Sequence, residues 1–201
     1  MKPRLFAGPI MVGVIALVTH TAGCAAQSAG DRELASMLAN DGTRAAAVTQ
    51  ILASGTNKVP VLLSWTSTTP AQVDKYGLSV GLADVFGGLK TKEAIPFLIK
   101  NISRRRVRYV YLAPWLKTDQ VILNTFPALA ALIQIGPAAS RALIRAASGP
   151  MSPEDRSAAV FAVSRIAGVP EARDFLAQAL GESNLEGRFA EEGLERLGEN
   201  H

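Results

Sequence analysis

The side chains that most often carry covalent or metal chemistry are scarce in this chain of 201 residues, which has two His and one Cys. His20 and Cys24 lie within or just after an apolar N-terminal stretch, and His201 is the last residue. A nucleophile needs a base within hydrogen-bond reach, and a zinc or iron site needs several His, Cys or carboxylate ligands in register. No Ser-His, Cys-His, HExxH or CxxC arrangement can be assembled from the other residues, and no glycine-rich loop follows a strand pattern where it could cradle phosphate. Gly77, Gly81, Gly87 and Gly88 read instead as close helix packing and a turn. Carboxylate pairs could still serve as acid and base, and Glu154-Asp155 and Glu171 with Asp174 are the nearest in sequence. Each pair follows a proline, Pro153 or Pro170, and so fits the first turn of a helix, where the macrodipole favours negative charge. The expectation is no enzyme, with no catalytic, cofactor-binding or metal-binding residue assigned.

Binding chemistry is concentrated elsewhere. Arg104, Arg105, Arg106 and Arg108 precede Tyr109, Tyr111, Pro114 and Trp115, with Lys117 next and no acid before Asp119. Arg forks hold phosphate or carboxylate bidentately, and Tyr and Trp are favoured anchors at protein interfaces. The competing reading is structural: cations at a helix end complement its dipole, and the aromatics fold back over the core. Arg104, Arg105, Arg106, Arg108, Tyr109, Tyr111 and Trp115 are therefore the candidate partner-binding residues.

Composition limits what those residues can serve. With 48% hydrophobic and 19% charged residues and a single Cys, the chain is neither collagen-like, disulfide-stapled nor broadly disordered. The formal charge is +4, and losing Lys2 and Arg4 with a leader would leave 19 cations against 17 acids. So small an excess sets up no strong field for polyanions, and no nucleic-acid partner is expected.

Residues 1–23 read as a signal peptide: Lys2 and Arg4 at the start, an apolar stretch from Leu5 to Val18, and Thr21-Ala22-Gly23-Cys24 at its end. The apolar stretch is too short to span a ~30 Å hydrocarbon core as a helix. The lone Cys after Ala22 and Gly23 resembles the lipobox of bacterial lipoproteins, with Thr21 where that family usually has an aliphatic residue. The resemblance implies that Cys24 becomes the first mature residue and is diacylated, anchoring the chain to a membrane in the cell envelope, facing the periplasm or the exterior. Ordinary cleavage near Ala25 or Ala26, giving a secreted soluble protein, is the alternative. Residues 24–30 would form a flexible tether.

The remainder, residues 31–201, must position the arginine segment, and its apolar spacing is helical throughout. Ala45, Val48, Ile51 and Leu52 end at Gly55; Leu78, Leu82, Val85 and Phe86 at Gly87-Gly88; Leu129, Leu132 and Ile133 at Gly136; Val160, Val163 and Ile166 at Gly168. A second apolar run follows each break, and its matched residues Leu62, Leu98, Leu143 and Leu176 are 36, 45 and 33 residues apart. The long step reflects an insertion at 103–122. Glu93-Ala94-Ile95-Pro96-Phe97-Leu98 and its echo Lys58-Val59-Pro60-Val61-Leu62 are similar to the second helix of HEAT-like repeats.

The resemblance implies an all-α fold: a short right-handed solenoid of about four HEAT-like hairpins, with Asp31–Leu38 and the segment from Leu185 to Leu197 as terminal caps. Armadillo and tetratricopeptide arrays share this grammar, and a nonrepetitive bundle would bury the same stripes. The expected function is a noncatalytic scaffold that binds another protein. The alternative is a module for anionic lipid or glycan at the Arg104 to Arg108 patch. An accessory role of the HEAT-like lyase type is a third reading, by fold analogy alone.

Overall fold

A computed structural model describes residues 28–107, 118–166, 168–181 and 184–199. The leader, Cys24 and most of the tether lie outside the described residues. Among the described residues the fold is all-α, with short 3₁₀ turns and no strand.

The first helix, α1 (Ala29–Ala39), begins earlier than the Asp31 boundary read from the sequence. Ser28 caps it by accepting from the Asp31 amide at 3.1 Å while its hydroxyl donates to the Asp31 carboxylate at 2.8 Å. Residues 28–30 therefore belong to the helix and its cap. Asn40 starts α2 (Asp41–Ser54) by accepting from the Gly42 amide. A 3₁₀ turn at Gly55–Lys58 leads into α3 (Val59–Ser67), and Asp74 caps α4 (Lys75–Gly88). A second 3₁₀ turn, Lys92–Ala94, leads into α5 (Ile95–Lys100). Next come α6 (Asp119–Thr125), α7 (Pro127–Ile135), α8 (Pro137–Ala147), α9 (Pro153–Arg165), α10 (Glu171–Ala179) and α11 (Asn184–Glu199). The expected insertion at 103–122 is thus helical from Asp119, and that helix runs past its predicted end.

Glycine closes α2 and α7 as the sequence indicates, with φ of 69° and 83° at Gly55 and Gly136, whereas α9 ends at Arg165 with Ile166 as its cap and Gly168, at φ 80°, lies beyond it. At α4 the expectation fails: Gly87 and Gly88 remain helical, and Lys90 takes the left-handed position at φ 52°. Thr91 N–H donates to Phe86 C=O at 2.9 Å and Lys90 N–H to Gly87 C=O at 3.0 Å, a Schellman ending that satisfies two orphan carbonyls. The glycines are kept for packing. A Cβ on Gly81 would stand 2.5 Å from the Leu38 carbonyl oxygen, and one on Gly77 only 2.0 Å from that of Ala39.

Those glycines let α1 lie directly on α4, the first step in a row. α4 packs on α7, α7 on α9, and α9 on α11. Beside this row α2 and α3 pack on α4, α5 on α7 and α8, α8 on α9 and α10, and α10 on α11. The middle helices of the first row are enclosed, so Gly77 to Ala83 of α4 and Ser157 to Ser164 of α9 are buried all round. Phe86, Phe126, Phe161 and Phe189 are fully buried, and Phe161 meets Phe189 edge to face at 5.0 Å. Each such ring contributes about 1.5–3 kcal/mol relative to exposure. Leu62, Leu98, Leu143 and Leu176, the matched positions of the sequence, are all fully buried, on α3, α5, α8 and α10.

Candidate functional site

Helix α5 ends at Lys100, and residues 101–107 contact α4 from Tyr76 to Asp84 and the first turn of α9. Four contacts hold them there. Ser103 Oγ donates to Asp155 Oδ1 at 2.6 Å, and Tyr76 Oη donates to the Arg105 carbonyl at 2.7 Å. Arg106 N–H donates to the Thr125 carbonyl at 2.7 Å, and Arg106 Nε to the Asn124 carbonyl at 3.1 Å. The segment is thereby tied to α4, to α9 and to the end of α6.

The arginines of the run have different fates. Arg106 grips Asp84 of α4 with two bonds of 2.7 Å, and the Asp84 hydrogen bonds hold its pKa above the ordinary range against partial burial. Arg105 reaches Glu154 at 3.3 Å. Arg104 lies over the Tyr76 ring, 4.9 Å from its centroid, and donates to Ser79 Oγ at 3.1 Å. Arg108, Tyr109, Tyr111 and Trp115 lie outside the described residues; of the seven candidates the structure describes Arg104, Arg105 and Arg106.

Asp84, Glu154 and Asp155 are the carboxylates that the sequence reading did not connect to the run. Asp84 left one signal, being the single acid in the apolar helix α4. Glu154 and Asp155 stand in the first turn of α9, as expected, where Ser152 Oγ accepts from the Asp155 amide. Asp155 and Glu154 also receive Ser103 and Arg105, a use that sequence spacing does not reveal. Glu171 and Asp174 likewise occupy the first turn of α10.

Two of the clefts that border this segment bear on binding. One, of about 600 Å³, is walled by Ala45, Val48 and Val107, with Asp41, Arg44, Asp84 and Arg106 on its rim. Its charges are matched: buried Arg44 donates to the Leu38 and Ala39 carbonyls, capping α1, and pairs with Asp41 at 2.6 Å. The other, of about 330 Å³, is lined by Tyr76, Lys100, Asn101, Ser103, Arg104 and Arg105.

A second ionic cluster lies across α6, α9 and α11. Arg165, whose side chain is 8% exposed, donates to both Asp119 oxygens at 2.6 and 2.9 Å and to Glu192, with Arg196 at 3.8 Å from Asp119. The Arg165 hydrogen bonds hold the Asp119 carboxyl below its ordinary value. The cluster joins the insertion's end to the C-terminal helix. Among the described residues no group of three or more His, Cys, Asp or Glu is placed to hold a metal ion, and no helix is long and apolar enough to cross a membrane.

No protein-family model, no curated protein and no solved structure matches this chain.

Proposed function

We propose that this chain is a noncatalytic, envelope-anchored protein-binding scaffold, built as a short right-handed solenoid of about four HEAT-like hairpins and tethered through a lipid on Cys24. The carrying observation is the order of packing, in which each helix of the row α1, α4, α7, α9, α11 rests on its neighbours in that row. Nearest-neighbour stacking is how repeat units bury faces that none can bury alone, and it presents an extended surface to a partner. The two HEAT-like motifs add support. Both enter their helices from a 3₁₀ turn, both place Pro at the second helical residue (Pro60, Pro96), and both bury the following Leu (Leu62, Leu98).

The experiment is a pull-down from solubilised membranes with the full chain, followed by reconstitution of any captured protein from purified components at fixed stoichiometry. Mass spectrometry of the mature N-terminus tests the anchor. A diacylated Cys24 is expected, and Cys24→Ala should release the chain from the membrane fraction. An unmodified chain starting at Ala25 or later overturns lipidation.

A second reading, a module for an anionic ligand, is favoured by one observation. Lys100 and Arg104 line the same open cleft, and among the described residues neither has a carboxylate partner. Salt-sensitive binding to anionic vesicles would support it.

A further inference from the structure

In the arginine run, Arg105 and Arg106 are neutralised by Glu154 and Asp84. Arg104 is held differently. The Tyr76 ring and the Ser79 hydroxyl fix its guanidinium without cancelling its charge. Lys100, one turn earlier at the end of α5, is exposed and opens onto the same cleft of about 330 Å³. Of the acids that meet this segment from the first turn of α9, Glu154 pairs with Arg105. Asp155 accepts from Ser103 at 2.6 Å and from Ser152 at 2.7 Å, neutral donors that leave its charge in place, and it forms no ion pair with Lys100 or Arg104. The sequence from 108 to 117 contains Arg108 and Lys117 and no acid.

We propose that Lys100 and Arg104 form a binding site for a phosphate dianion, either free phosphate or a phosphate monoester. Charge decides the ligand class. Two cations that have no carboxylate partner among the described residues match a group carrying about two negative charges at neutral pH, whereas a single carboxylate would leave one cation unmatched. Tyr76 and Ser79 act as positioning residues: a guanidinium already oriented loses less freedom when it binds. The inference rests on the anionic-ligand reading above and narrows it to one cleft and one ligand chemistry.

Titration calorimetry of the full chain with inorganic phosphate, and with acetate at equal ionic strength, tests the site. Phosphate should bind measurably and acetate at least about tenfold more weakly, and Arg104→Gln or Lys100→Gln should each weaken phosphate about tenfold or more. Arg32→Gln, an exposed cation on α1, should change nothing. Lys100 makes no contact the fold depends on, so Lys100→Gln decides if Arg104→Gln unfolds. Vesicles of phosphatidylcholine with phosphatidic acid, against phosphatidylcholine with phosphatidylglycerol, separate the sources. Preference for the monoester that both variants abolish marks a lipid headgroup; phosphate binding without vesicle binding marks a soluble ligand. Equal phosphate affinity in parent and Lys100→Gln, or acetate binding as well as phosphate, overturns the site. Anionic-vesicle binding that survives both variants overturns the site and leaves the broader reading standing. Absence of binding to phosphate and to every vesicle overturns both.

Discussion

Arg106 meets Asp84 fork to fork, Nη1 to Oδ2 and Nη2 to Oδ1, each at 2.7 Å, although 22 residues separate them. The pair closes the segment after α5 onto the middle of α4. Its side chains are 36% and 22% exposed, so water screens it in part.

Asp84→Asn should lower stability by about 1–2 kcal/mol, between the values for exposed and buried pairs, a drop of roughly 2–8 °C in Tm. Arg106→Lys, which keeps the charge but loses the fork, should fall between parent and Asp84→Asn. Thermal melts by circular dichroism read both. Parent-like melting of Asp84→Asn would mean that the fork adds nothing.

The Asp119 cluster makes stability depend on acid. Because the Arg165 hydrogen bonds lower the folded pKa of Asp119 from its ordinary 3.8, the unfolded chain takes up the proton first as pH falls. The contribution is complete above about pH 5 and drains away as pH drops through 3.8 toward the lowered folded value. Urea midpoints across this range should fall more steeply for the parent than for Asp119→Asn. Parallel curves would show that Asp119 is not linked to folding.

Two glycine substitutions should have opposite signs. Gly81→Ala forces α1 and α4 apart, since the new Cβ would meet the Leu38 carbonyl at 2.5 Å, and it should cost at least about 2 kcal/mol. Gly198→Ala in α11 meets nothing within 4 Å and should be neutral or stabilise by up to about 1 kcal/mol. Denaturant titrations of the two variants, side by side, check the close approach of the first two helices in the row.

Truncation of Leu98, Leu143 or Leu176 to Ala should each cost about 2–5 kcal/mol, through lost transfer energy and a residual cavity. All three are fully buried on successive helices beside the main row. Chemical unfolding measures the loss. An unchanged midpoint at any one of them would contradict their equivalence.

Replacement of the whole arginine run should not be silent in stability, contrary to the expectation for a solvated face. The lack of acids near it in sequence pointed to free charge. In space Asp84 and Glu154 supply acids to Arg106 and Arg105, while Arg104 of the same run meets the Tyr76 ring and the Ser79 hydroxyl instead. Spacing reports on neighbours within a turn or two of helix, whereas these partners come from elements 22 and 49 residues away.

The helical class, the breaks at Gly55, Gly136 and Gly168, the acidic first turns of α9 and α10 and the burial of Leu62, Leu98, Leu143 and Leu176 were all legible in the residues alone. Each depends on local backbone preference or on a 3.6-residue stripe, which the chain carries wherever it folds. The start of α1 at Ala29, the Schellman ending at Lys90, the glycine contact of α4 with α1 and the pairing of Arg106 with Asp84 needed the folded chain. The first two are held by bonds within a few residues of a helix end, whereas in the last two the deciding term is a distance between elements: a carbonyl against a glycine, or a carboxylate against a guanidinium 22 residues away. Packing sets such distances, and no local pattern encodes them. That is why the sequence marked out the arginine segment as a whole while only the tertiary structure separated the clamps Arg105 and Arg106 from Arg104.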